Sequence, residues 1–183
     1  MSTKYKFGDK SHLYFVSFSV VNWIDLFIRD EYCNIVLESL KFCQTNKGLE
    51  IYSWCIMSSH LHLIISSHGS NLEDIMRDLK SHTSRELKKA IKQNHGESRR
   101  EWILWMMERA GRQNANNKDF QLWQQDNHPI ILDSNEIIEQ KKEYIHNNPV
   151  KAGMVWEPED YRYSSAVDYA EGKGLLDIYS LIG

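Results

Sequence analysis

Two short apolar runs at the centre of the chain, 49–57 (LEIYSWCIM) and 61–66 (LHLIIS), are separated only by Ser58-Ser59. Both are too short for a helix of ordinary length and rich in β-branched, aromatic and aliphatic residues, so each reads as a strand. So brief a break favours antiparallel neighbours, because parallel strands need a crossover of a dozen or more residues. Whatever flanks this hairpin must pack on it. Upstream, 12–21 (HLYFVSFSVV) alternates in part and reads as a buried strand. It is followed by 31–46, where Ile35, Leu37, Leu40 and Phe42 recur near helical spacing, with Asp30 placed to cap the helix and Gly48 to end it. Downstream, Asn71 opens a helical pattern through Leu72, Ile75, Leu79, Leu87 and Ile91, with Glu73 and Asp74 in its positive first turn. A Trp- and Met-rich stretch, 100–110, continues as a separate helix. Residues 120–125 (FQLWQQ) suggest a fourth strand, extended by Ile130-Ile131-Leu132, and Asp133 with Glu136 forms a capping box for a last helix over 134–147. The order is β-α-β-β-α-(α)-β-α. Without the additional helices this is the split βαβ pattern: an α+β, ferredoxin-like sandwich, its antiparallel sheet carrying helices on one face and followed by a C-terminal helix bearing Tyr144.

With 183 residues, three prolines and neither repeat nor low-complexity run, the chain is read as one domain over 1–183. Its core is expected over about 12–155, with 156–183 as a C-terminal extension. A content of 42% hydrophobic and 26% charged residues excludes a disordered tail. The formal charge of −3 argues against a histone-like protein held to nucleic acid by bulk charge. The charge is unevenly spread, however: net 0 over 1–70, +3 over 71–125 and −6 over 126–183. Cys33, Cys43 and Cys55 are odd in number and lack C-x-x-C spacing, which fits neither a disulfide framework nor a zinc knuckle and points to a reducing, cytoplasmic setting. The apolar stretch 13–28 is interrupted by Ser17, Ser19, Asn22 and Asp25, so no membrane span is expected.

His60 and His62 stand two apart on the third strand, so both imidazoles project from the same face. Such a pair can grip one divalent metal ion. The spacing equally describes two half-exposed histidines on a sheet edge. On the last helix, Ile137, Lys141, Tyr144 and Asn148 follow one another at intervals of four, three and four, along one stripe. A tyrosine and a carboxamide one turn apart, brought near two strand histidines, would form a nucleophile beside a third metal ligand. The same residues also read as an interfacial aromatic and a C-terminal cap. Pro149 disfavours the α conformation for Asn148, so the helix is expected to end there.

The stretch 57–65 (MSSHLHLII) is similar to the strand motif of the single-tyrosine HUH transposases, and 144–155 (YIHNNPVKAGMV) resembles their tyrosine helix, most of all in the REP-associated tyrosine transposase branch. FQLWQQ at 120–125 and Tyr163-Ser164-Ser165 resemble further stretches of that branch, so the similarity spans about 12–169 in the family's order. The resemblance implies His60 and His62 as metal ligands with Asn148 as the third, Mg²⁺ or Mn²⁺ as cofactor, and Tyr144 as nucleophile. It implies metal-dependent cleavage and rejoining of single-stranded DNA through a 5′-phosphotyrosine link, at hairpin or palindromic repeat DNA, by a monomer or homodimer. The family commonly has Pro-Asn before the first histidine, where this chain has Ser58-Ser59. That departure motivates the alternative of a repeat-binding protein that no longer cuts. A groove for the strand would draw on Arg77, Lys80, Arg85, Lys88, Lys118, Trp123, His128 and Lys141. The competing reading of these residues is a solvated helix face and a core tryptophan.

Overall fold

The structure, a computed structural model, describes residue 7 and residues 12–114, 119–125 and 129–181. Strands β1 (Leu13–Ser19), β2 (Leu49–Ile56), β3 (His60–Ser67) and β4 (Ile130–Leu132) form one sheet in the order β2-β3-β1-β4. Every neighbouring pair is antiparallel, which is the ferredoxin-like arrangement expected. Helices α1 (Asp30–Lys47), α2 (Leu72–Gln93), α3 (Arg100–Arg112), α4 (Asn135–Lys151) and α5 (Ala166–Tyr169) complete the fold. Among the described residues, no helix is long and apolar enough to cross a membrane.

Alternation along the strands sorts their side chains onto two faces. Tyr14, Val16 and Phe18 of β1, Leu61, Leu63 and Ile65 of β3, and Ile51, Trp54 and Ile56 of β2 point one way, into the main core with α1 and α2. Phe15, Ile64, Cys55 and Leu132 point the other way and pack with Ile145 of α4 in a smaller cluster. The helices therefore lie on both faces of the sheet, with α4 on the side opposite α1 and α2. A bulge between Ile51 and Ser53 adds Tyr52 to β2, so that Ser53 and Cys55 both face α4 while Ile51 and Trp54 remain in the main core. At the end of α1, Gly48 takes a left-handed φ of 71° and its N–H bonds to the Cys43 carbonyl. A Cβ there would also lie 2.7 Å from the Gly69 nitrogen, so the close approach at the far end of the hairpin admits only glycine.

Four local expectations are corrected. Residues 120–125 do not form a strand: Trp123 alone makes an isolated bridge, to Val20, and β4 is confined to Ile130–Leu132. The cap of α4 is Ser134, whose hydroxyl accepts from the Ile137 N–H at 3.3 Å, rather than Asp133 with Glu136. At α1 the N-cap is Arg29, with Asp30 already inside the first turn. Finally, α4 runs through Pro149 to Lys151. A proline inside a helix removes one donor and crowds the carbonyl four residues back. Here the helix continues although Pro149 offers the Ile145 carbonyl no donor, and the carboxamides of Asn147 and Asn148 bond back to the carbonyls of Glu143 and Tyr144, at 2.9 Å each. Gly153, at φ 70°, then turns the chain away.

Candidate metal and tyrosine site

The α4 side of the sheet carries the two histidines. Ser17 pairs with His62 and Ser19 with His60 in the β1–β3 register, which sets both imidazoles on the face where α4 lies. Their ring centroids are 4.8 Å apart, and the Tyr144 ring lies 5.3 Å from that of His62. Phe15 fixes this geometry from below: its ring stacks on His62 at 5.5 Å and meets Tyr144 edge-on at 6.0 Å. Thus the strand pair and the tyrosine stripe, far apart in sequence, meet in one cluster.

The two histidines are held differently. Ser59 Oγ lies 3.2 Å from His60 Nδ1, and the neighbouring Ser58 Oγ donates to Asp25 at 2.6 Å. With Nδ1–H donating to Ser59, the Nε2 lone pair of His60 is left for a ligand. His62 is 5% exposed, yet neither of its ring nitrogens has a hydrogen-bond partner. Buried polar atoms are rarely left so. Burial, with the nearby His60 and Lys141, pushes the His62 imidazole down to about 3, and burial lowers His60 as well. Both rings are therefore neutral near pH 7, the form a metal ion requires.

Tyr144 is 40% exposed, on the open side of the cluster. Lys141 Nζ sits 5.6 Å from its ring centroid and 4.9 Å from that of Phe15, while Lys151 Nζ approaches the tyrosine ring at 5.9 Å. Asn148 follows Tyr144 by one turn; its amide nitrogen bonds the Tyr144 carbonyl, leaving Oδ1 as an acceptor, and it is hydrogen-bonded to neither histidine. Two neutral imidazoles, with orphaned nitrogens on His62, suit a divalent ion. No group of three or more His, Cys, Asp or Glu side chains that could hold a metal ion occurs among the described residues, here or elsewhere.

What registers α4 on the sheet is His146. Its Nε2 lies 3.0 Å from Ser53 Oγ and 2.9 Å from Ser165 Oγ, and Ser165 Oγ in turn accepts from the Trp54 N–H. The bulged strand β2, the tyrosine helix and the start of α5 are thereby tied at one buried point.

The basic residues divide. Arg85 and Lys88 line a cleft of about 560 Å³ between α2 and residues 120–125. The Lys80 ammonium also faces this cleft but donates to the carbonyls of Gln124 and Gln125, so it tethers the segment. Arg77 is exposed and paired with Asp74 and Asp78. Trp123 is corrected outright: it is 5% exposed, stacks on Phe27 at 5.7 Å and donates its indole N–H to Thr83 at 2.9 Å. It is the floor of the cleft, not a platform for a base. Lys118 and His128 lie outside the described residues. Sequence reasoning did not find Lys151, Phe15, Ser59 or Trp23. Lys151 had a signal, since seven residues after Tyr144 is two turns along the same stripe.

Residues 25–108 match the family described as "Transposase IS200 like", a stretch that contains β2, β3 and both histidines. That part of the chain is similar to the IS200-like transposases. The matched stretch ends before α4. A solved structure of similar fold is a REP-associated tyrosine transposase bound to a REP hairpin, with a TM-score of 0.66 and 16% identity, covering 100% of this chain and 96% of that one. A weaker likeness, TM-score 0.45 and 11% identity over 84% of this chain and 71% of the other, is to a bacterial tRNA(His) guanylyltransferase-like protein in complex with GTP. No curated protein matches the sequence.

Proposed function

We propose that this IS200-like transposase relative cuts and rejoins single-stranded DNA at hairpin-forming repeats, with Tyr144 as nucleophile and His60, His62 and Asn148 holding a Mg²⁺ or Mn²⁺ ion. The observation that carries the reading is the buried, unbonded His62 imidazole between His60 and Tyr144. A bound divalent ion would supply Lewis-acid stabilisation of charge on the scissile phosphate. The remaining work falls to the chain. Tyr144 Oη attacks phosphorus, the bond to the 3′-oxygen breaks, and the downstream strand stays on the protein as a 5′-phosphotyrosine. The phenolic proton leaves to solvent on the open side of the ring. Lys141 and Lys151, both over that ring, bind the phosphate oxygens and hold them in line. Phe15 and Ile145 fix the distance from the helix to the strand, and His146 fixes its register. Rejoining reverses these steps with the 3′-hydroxyl of another strand end, so the phosphodiester energy is conserved and no nucleotide is needed. The hairpin substrate is supported by a protein of similar fold that was solved on a REP hairpin.

The test is cleavage of a hairpin-bearing oligonucleotide in Mg²⁺ or Mn²⁺ against EDTA, with wild type, His62→Ala and Tyr144→Phe. Cleavage that needs the metal, His62 and Tyr144 supports the assignment. Hairpin binding by the wild type with no cleavage in either metal would replace it with a repeat-binding protein.

A further inference from the structure

Beside the histidines the backbone does something costly. Asn22 and Trp23, consecutive in the short 3-10 turn after β1, both take positive φ, 56° and 53°. Asparagine tolerates this conformation, but for a bulky residue such as tryptophan it is an outlier, and such outliers persist mainly where function requires them. The strain does not bury the indole. Trp23 is 59% exposed and its ring stands 5.5 Å from that of His60, at the rim of the metal and tyrosine site. Asn22, its neighbour in the chain, lines a shallow cleft of about 410 Å³ between this turn, the end of α3 and residues 121–125. Its walls carry six carboxamides, those of Asn22, Gln113, Asn114, Gln121, Gln124 and Gln125. Asn114 and Gln121 bond one another, Gln121 also holds the Trp123 carbonyl, and Gln124 reaches the Val20 carbonyl. Among the described residues the side chains of Asn22, Gln113 and Gln125 form no hydrogen bond. The cleft and the site are joined through the sheet: the Gln124 N–H bonds the Ser19 carbonyl at 2.8 Å, and Ser19 is the register partner of His60.

From this arrangement we infer that the cleft is a base-reading pocket for one unpaired nucleotide of the strand held at the histidine site, with Trp23 as stacking platform and Asn22, Gln113 and Gln125 reading the base edge. The inference rests on the DNA-strand reading of that site. A carboxamide offers a donor and an acceptor side by side, the complement of adenine N6 and N7, so the pocket favours adenine. Stacking on an exposed ring holds any base and supplies affinity, whereas the carboxamides supply the choice. Among the described residues that line the cleft none is charged, so phosphate contacts fall to the lysines around Tyr144.

The experiment measures binding by fluorescence anisotropy in the Tyr144→Phe background, where no adduct forms. The probes are a short oligothymidylate and the same strand with one adenine. The Tyr144→Phe protein should bind the adenine strand at least about fivefold tighter. Adding Trp23→Gly should weaken both strands about tenfold while leaving the melting temperature equal or higher, because glycine relieves the positive φ. Trp23→Phe should retain affinity within about twofold. Gln113→Leu should equalise the two strands. Equal binding of the two strands by Tyr144→Phe, or unchanged affinity in Trp23→Gly, overturns the pocket. A wild-type protein that forms no DNA adduct but shows this binding pattern would refute the proposed cleavage and leave the pocket standing.

Discussion

Replacing Ile145 by alanine and, separately, Leu63 by alanine distinguishes the two sides of the sheet. Both side chains are fully buried, Ile145 in the small cluster under α4 and Leu63 in the main core. Each substitution costs about 2–5 kcal/mol, with about 3 kcal/mol expected where the surroundings can partly close the void. The tyrosine helix is held by one modest apolar cluster and by the His146 bonds, so it should lift off as a unit while the α1, α2 and sheet core remains. Loss of Ile145 penalises only the docked helix, and α4 amides should then exchange with deuterium roughly a hundredfold faster, about 1.4 kcal/mol being tenfold. Loss of Leu63 weakens the core equally whether α4 is docked or lifted. It should therefore speed exchange in β1 and β3 by a similar factor and leave α4 protection unchanged. Residue-resolved native-state hydrogen exchange reads both. If Leu63→Ala deprotects α4 as much as the strands, the helix opens only by global unfolding and the reasoning is wrong.

Other consequences are simpler. Glu97 is 3% exposed and bonded by Arg29 and Arg99; burial pushes its carboxyl up, but those bonds prevail and hold it at about 2, against an ordinary 4.5. A depressed carboxyl stabilises the fold fully above its unfolded pKa, so the melting temperature should fall as pH drops from about 4.5 towards 2. Glu97→Gln should melt lower at neutral pH and lose less over that acid range; an identical slope would refute the assignment. Trp123→Phe should lower the melting temperature by a few degrees through loss of the Thr83 bond and of buried volume, yet bind a hairpin oligonucleotide as the wild type does. Weakened binding without loss of stability would restore Trp123 as a stacking platform. Lys141→Ala should slow cleavage at least tenfold, whereas Arg77→Ala, already neutralised by Asp74 and Asp78, should change it less than twofold. Equal effects would mean that the two cations share one role.

The hairpin of β2 and β3 was legible because a two-residue break leaves one way to pair strands of that composition, and the histidine spacing then fixes a common face. The meeting of those histidines with Tyr144 was legible only through the resemblance, since nothing in periodicity says which face α4 covers. The ending of α4 misled because the rule for residues before proline is local. The helix runs on to Lys151 all the same, held by contacts that spacing does not reveal. Residues 120–125 misled for a related reason: an apolar, aromatic run next to a sheet reads as a strand, yet its tryptophan is occupied with Thr83 and Phe27. The strained turn at Asn22 and Trp23 carries no composition signal.

The central claim is a covalent link between Tyr144 and the 5′ end of the downstream strand. It is tested most directly by incubating the protein and a divalent metal with a hairpin oligonucleotide labelled at one end or the other, then separating the products under denaturing conditions. The account predicts that wild type retains the 3′ label on the protein, that the 5′ label is released on the free fragment, and that Tyr144→Phe retains neither. Retention of the 5′ label, an adduct in Tyr144→Phe, or no adduct in the wild type would contradict it.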